Sequence, residues 1–155
     1  MKSTWLEGVS MAPPAAGWAD RSLMAFSGPA HEGGLPPSIS VSHDARNSPG
    51  DPRDEPFGAY VERQCDTLQA SLPGFQNRQP SPLRTGTSKA RDILFTWRSG
   101  AISLTQWVVW MAMPDGTVLT YTATSESSQF EAHRPLFEAT LPRLQIDATA
   151  FPALA

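Results

Sequence analysis

One turn and its two flanks constrain this chain more than any other stretch. Pro114-Asp115-Gly116 separates Ala101–Met113 from Thr117–Ser125, and both flanks are rich in β-branched and aromatic residues. Glycine supplies the positive φ that a tight turn needs, and such flanks favour extended backbone, so a β-hairpin is predicted. The lead-in Asp92–Arg98 reads as a further strand, closed by Ser99-Gly100. Residues 92–125 are therefore expected to form a three-stranded antiparallel meander.

The middle strand of that meander poses a question. Alternation puts Ile102, Leu104, Gln106, Val108 and Trp110 on one face and Ser103, Thr105, Trp107, Val109 and Met111 on the other. A sheet covered on one side alternates apolar with polar residues, yet the second half of this strand is apolar on both. Either the fold covers both faces, or one face receives an apolar guest.

Around the meander the chain reads as strands, helix, strands, helix. Residues 1–20 are rich in Pro, Gly and Ala. Within and after them, Trp5-Leu6-Glu7 and Ser22–Phe26 read as short strands. Ser38–His43 is a strand with Ile39 and Val41 pointing one way and its serines the other. After a polar loop, Asp44–Pro56, the period changes. Phe57, Val61, Leu68 and Leu72 recur at i, i+4, i+11 and i+15, with Tyr60, Gln64 and Cys65 beside them. This is the stripe of an amphipathic helix. Glu55 lies near its positive end and Pro73-Gly74 stops it. Phe75–Thr85 reads as extended and polar. Phe130, Phe137, Leu141 and Leu144 mark a second helix. Glu126–Gln129 reads as a helix start, and because proline suits a first helical turn, Pro135 predicts that the regular part begins near Arg134. Gln145–Ala148 reads as a last short strand. The expectation is a single α+β domain over residues 1–155, its core about 17–147, with two main helices against a curved antiparallel sheet.

Composition narrows the functional classes. A chain of 155 residues is long enough for one real core. Its net charge of −3 argues against general binding to phosphate backbones. Cys65 is the one cysteine, so there is neither an internal disulfide nor a cysteine-rich metal site. No apolar run follows Lys2, no cysteine near the start offers a lipid anchor, and the longest apolar run, Trp107–Met113, is far short of the ~20 residues of a membrane helix. A soluble, cytoplasmic protein is expected. His31, His43 and His133 lack metal-ligand spacing, and no nucleophile elbow or phosphate-cradling loop is present. The chain is expected to be no enzyme and to need no cofactor or metal. With few basic residues near them, the tryptophans fit core or apolar-groove roles better than base stacking.

Two glutamines stand out. Gln106 interrupts an apolar strand, and Gln64 sits beside the apolar stripe of the first helix. Each either points to solvent or lies in an apolar groove. A buried amide without a partner costs about 1–3 kcal/mol, so such a groove would favour a guest that offers backbone hydrogen bonds.

A set of segments in order then resembles a known family. They are Gly17–Ser22, Ile39–Asp44, Tyr60–Gln64, Leu72–Phe75, Phe95–Arg98, Gly116–Thr124 and Phe130–Phe137. Together they resemble the DcrB-like domains, and among them the Eag-type chaperones of bacterial type VI secretion. The resemblance implies an α+β fold related to the PsbP fold. It also implies a homodimer whose concave surface holds the N-terminal transmembrane region of an effector carrying a PAAR domain, keeping it soluble in the cytoplasm before loading on the spike. Candidate guest-facing residues are Leu23, Ala25, Ile39, Val41, Gln64, Leu68, Leu72, Gln106 and Val108, with the i, i+4, i+8 ladder Gln64, Leu68, Leu72 foremost. The other class of function considered is an assembly factor or structural subunit of a secretion or envelope complex, binding a folded partner.

Overall fold

The structure, a computed structural model, describes residues 15–16, 24–45, 55–79, 82–83, 90–114 and 116–144. Strands β1 (Met24–Ser27) and β2 (Ser38–Ala45) precede helix α1 (Phe57–Ser71). Then come β3 (Gln76–Gln79), β4 (Ala90–Ser99), β5 (Ile102–Ala112) and β6 (Thr117–Glu126). Helix α2 (Phe130–Thr140) follows, and a 3-10 turn, Leu141–Arg143, ends the described chain with Leu144. The strands predicted at Trp5–Glu7 and Gln145–Ala148 lie outside the described residues.

The six strands form one curved open sheet in the order β1-β2-β6-β5-β4-β3. Every neighbouring pair is antiparallel. The predicted meander is its centre. Its first turn carries Gly100 at φ 62 and its second Gly116 at φ 86. Around the second, the Met113 N–H donates to the Thr117 carbonyl (2.8 Å) and the Gly116 N–H to the Met113 carbonyl (3.0 Å).

Strand β5 is apolar on both faces because a helix covers each. Trp107 and Val109 belong to a core with Leu94, Tyr121 and the α2 residues Phe130 and Phe137. Val108 and Trp110 belong to a second core with Ile93, Phe95, Val118 and Tyr60 of α1, against which Val61, Leu68 and Leu72 also pack. The sheet is thus the middle of three layers, with the helices on opposite faces.

Each helix departs from its predicted reading in one respect. In α1 the deepest side chain is Tyr60, at 1 % exposure, which the sequence placed beside the stripe. Glu55 meets Arg63 in a fork of two 2.9 Å hydrogen bonds, and the Arg63 guanidinium lies 5.3 Å over the Tyr60 ring. Helix α2 begins at Phe130, directly after the start read at Glu126–Gln129, but its regular part carries Pro135 within it instead of beginning near Arg134. Burial of Phe130 and Phe137 on one side outweighs the loss of one helical hydrogen bond. Pro135 and Glu131, whose carbonyl loses its usual donor, are both exposed, so solvent can replace that bond. At the other end of α2, the Tyr121 hydroxyl donates to the Phe137 carbonyl (2.8 Å) and the Thr140 hydroxyl to the Leu136 carbonyl (2.7 Å).

Candidate functional site

Helix α1 does not span its whole face of the sheet. It packs over β4, β5 and the Val118 end of β6, and beside it the sheet continues through the rest of β6 and β2. The residues there are small and hydroxylated. Register pairs Ser38 with Thr124, Ser40 with Thr122 and Ser42 with Thr120, and Ala25 of β1 continues the row opposite Ser40. Paired residues share a face, and Thr122 is paired in turn with Val108, and Thr124 with Gln106. The result is a cleft of about 280 Å³ walled by α1 on one side and floored by the sheet. Gln64, Leu68, Gln106, Val108, Thr120 and Thr122 are among its lining residues.

Side chains far apart in sequence thus meet here. Gln64 and Leu68 face the cleft because they lie one helical turn apart on α1. Gln106 and Val108 reach it because they alternate on the same face of β5. The Gln106 carbonyl oxygen accepts a hydrogen bond from the Trp97 indole at 2.9 Å. Gln64 makes no side-chain hydrogen bond to another described residue.

The other sequence candidates are placed differently. Leu72, at the end of α1, packs into the core beneath the helix, and its N–H donates to the Leu68 carbonyl (3.0 Å). Ala25 is exposed on the edge strand, on the cleft's side of the sheet. Ile39 and Val41 are on the opposite face, against α2, and Val41 is core at 8 % exposure. Leu23 lies outside the described residues. The hydroxyl rows of β2 and β6 are the feature the sequence reading passed over. Their signal was the alternation itself, which sets the serines of β2 opposite Ile39 and Val41.

A second cleft of about 280 Å³ lies on the α2 face, between that helix and the β1 edge. Met24, Phe26, Ile39, Val41 and Leu144 give it apolar walls. Phe26 and the neighbouring Leu136 are among the most exposed large apolar side chains, at 49 % and 54 %.

Titratable groups are arranged as structural partners. Ser125 lies 2.8 Å from the His133 Nδ1 but is 2 % exposed, within the sheet's α2 face rather than in a cleft. His31 meets Glu126, and His43 meets the Thr117 hydroxyl at 2.7 Å. Burial pushes the Cys65 thiol up, against the pull of Arg78. Among the described residues no three His, Cys, Asp or Glu side chains are grouped to hold a metal ion, and no helix is long and apolar enough to cross a membrane.

The fold and cleft define a class: an antiparallel sheet between two helices, with an open groove lined by amides, hydroxyls and a few apolar side chains. The sequence profile of the DcrB family matches residues 9–142, most of the chain, and the protein belongs to that family. Among solved structures it is similar to PA94, a Pseudomonas aeruginosa protein of unknown function described as a candidate regulator. The two are 26 % identical, with a TM-score of 0.67 over 85 % of this chain and 88 % of that one. No curated protein matches.

Proposed function

We propose that this protein is a cytoplasmic, non-enzymatic chaperone. Its guest is the N-terminal transmembrane region of a type VI secretion effector carrying a PAAR domain, which it shields until the effector is loaded on the spike. The observation that carries this reading is the meeting of Gln64, Leu68, Gln106 and Val108 in one open cleft beside rows of serine and threonine.

The physical case rests on what such a guest lacks in water. A transmembrane helix has ~20 apolar residues, and each large side chain left exposed forfeits roughly 1.5–3 kcal/mol of burial. A floor of small hydroxyl residues lets a helix approach closely, as small residues do between helices in a bilayer. Leu68 and Val108 supply apolar contact, and the amides meet backbone groups that the guest leaves unpaired. The work needs no nucleotide and no metal. A homodimer, which the family resemblance implies, would set two such clefts against one guest region.

Co-expression with an effector of that kind, split into its apolar N-terminal segment and the remainder, tests the reading. Capture and solubilisation of the apolar segment alone is expected. Gln64→Ala and Leu68→Asp, in folded protein, should lower the yield of soluble segment. Capture of only the remainder would favour an assembly factor that binds a folded protein, for which the apolar cleft at Phe26 and Leu136 is the matching surface.

A further inference from the structure

We propose that Trp97 commits Gln106 to act as a hydrogen-bond donor, so that the cleft selects an apolar helix with a backbone carbonyl left without its intrahelical partner. This inference rests on the chaperone reading and specifies what its groove recognises.

The orientation of the Gln106 amide follows from chemistry. An indole N–H can only donate, so the group 2.9 Å from the Trp97 Nε1 is the amide oxygen. Trp97 is held for this task. It packs against the α1 core, and its register partner on β5 is Leu104, so Gln106 is its diagonal neighbour on the same face. With the oxygen engaged, the amide N–H groups remain. Gln106 donates to no other described residue, and no buried side-chain nitrogen or oxygen among the described residues lacks a partner. The amide nitrogen is therefore not buried, and Gln106 lines the open cleft.

A donor fixed in this way discriminates among apolar helices. In a regular helix, interior carbonyls are already bonded to the N–H four residues on. Proline removes such an N–H and frees the carbonyl one turn before it. A guest with that carbonyl on its groove-facing side gains a bond at Gln106, and an uninterrupted helix does not. Gln64, which also lines the cleft, makes no side-chain hydrogen bond to another described residue and carries no such bias. Trp97 is a positioning residue, acting through Gln106.

The test uses the full chain and two labelled, lysine-flanked apolar helical peptides of about 20 residues. They are identical except that one has a central proline where the other has alanine. Fluorescence anisotropy gives Kd for each. One net hydrogen bond predicts that the wild-type protein binds the proline peptide about three- to tenfold more tightly. Gln106→Glu keeps an acceptor for the Trp97 indole but loses the donor, Gln106→Met loses both, and Trp97→Phe frees the amide to turn. Each should bring the ratio of the two Kd values towards one. In Trp97→Phe the Gln106 side-chain amide signals should also shift in a proton–nitrogen spectrum. A purely structural role for Trp97 would weaken both peptides alike and leave the ratio in place. Equal binding of the two peptides by the wild type, or a ratio that survives the Gln106 variants, overturns the inference while leaving the chaperone reading intact. Failure of the wild type to bind either peptide overturns both. If Trp97→Phe does not fold, the two Gln106 variants decide.

Discussion

Replacing Tyr121 by Phe tests how the α2 layer is held to the sheet. Tyr121 is 1 % exposed, its ring meets Trp107 edge-on at 5.7 Å, and its hydroxyl donates to the Phe137 carbonyl at 2.8 Å. The substitution keeps the ring and deletes one donor. A net hydrogen bond contributes about 0.5–1.5 kcal/mol, and an orphaned buried acceptor adds to the loss, so a cost of about 1–2 kcal/mol is expected at neutral pH. In a chain of this size that lowers Tm by roughly 2–8 °C. The same hydroxyl makes a second, independent prediction. Burial pushes its pKa from 10.0 up to about 12. Between those values the unfolded phenol ionises while the folded one keeps its proton. The unfolded state then binds fewer protons, and this contribution to stability is lost as pH rises from about 10 towards 12. Tyr121→Phe lacks it. Urea unfolding of both proteins at pH 7 and at steps above pH 9 should therefore show a gap that narrows as the solution becomes alkaline. A gap below about 0.3 kcal/mol at pH 7 would show that the bond contributes little. A gap that stays constant up to pH 11 would refute the linkage.

Two further substitutions test the layers and the central turn. Phe137, 2 % exposed and 5.6 Å from the Phe130 ring, anchors α2, so Phe137→Ala should cost about 3–5 kcal/mol in chemical unfolding; a loss below ~1 kcal/mol would mean that α2 is not part of the cooperative core. Gly100 has φ 62, and an added Cβ would meet nothing within 4 Å, so Gly100→Ala should lose about 1–2 kcal/mol from backbone strain alone, with Gly100→Asn milder. Equal stability of Gly100→Ala and the wild type would show that the turn has another conformation within reach.

Much of the sheet was legible because its signals are local. The meander of β4, β5 and β6 follows from alternation and from glycines at the turns, which act over a few residues. The apolar stripe from Phe57 and the stop at Pro73-Gly74 marked out α1, which runs Phe57–Ser71. The start of α2 was legible at Glu126–Gln129, but its regular part was set too late because a local penalty, the proline, was weighed without the packing of Phe130 that outweighs it. The deep burial of Tyr60 depends on β4 and β5 lying beneath α1, and no spacing within the helix contains that.

For the site, alternation fixed which residues share a face but not which face is open. Gln106 and Val108 were grouped correctly with each other, as were Ile39 and Val41. The structure places the second pair on the α2 face, where they wall the apolar cleft, and sets the serines between them on the α1 face beside the other cleft. Apolar character does not separate the two roles there, because buried core and guest-binding surface call for the same residue types. Only the crossing of each helix over its own face decides between them.

The sequence by itself determined the strands, the turns, both helices and the α+β class, since these rest on periodicity and on backbone preferences of single residues. Tertiary structure alone decided that the two helices lie on opposite faces, that α1 leaves the serine and threonine rows of β2 and β6 beside an open cleft, and that Trp97 takes up the oxygen of Gln106. These outcomes depend on pairing and layering between segments distant in the chain. They become definite only when burial of whole faces is settled at once.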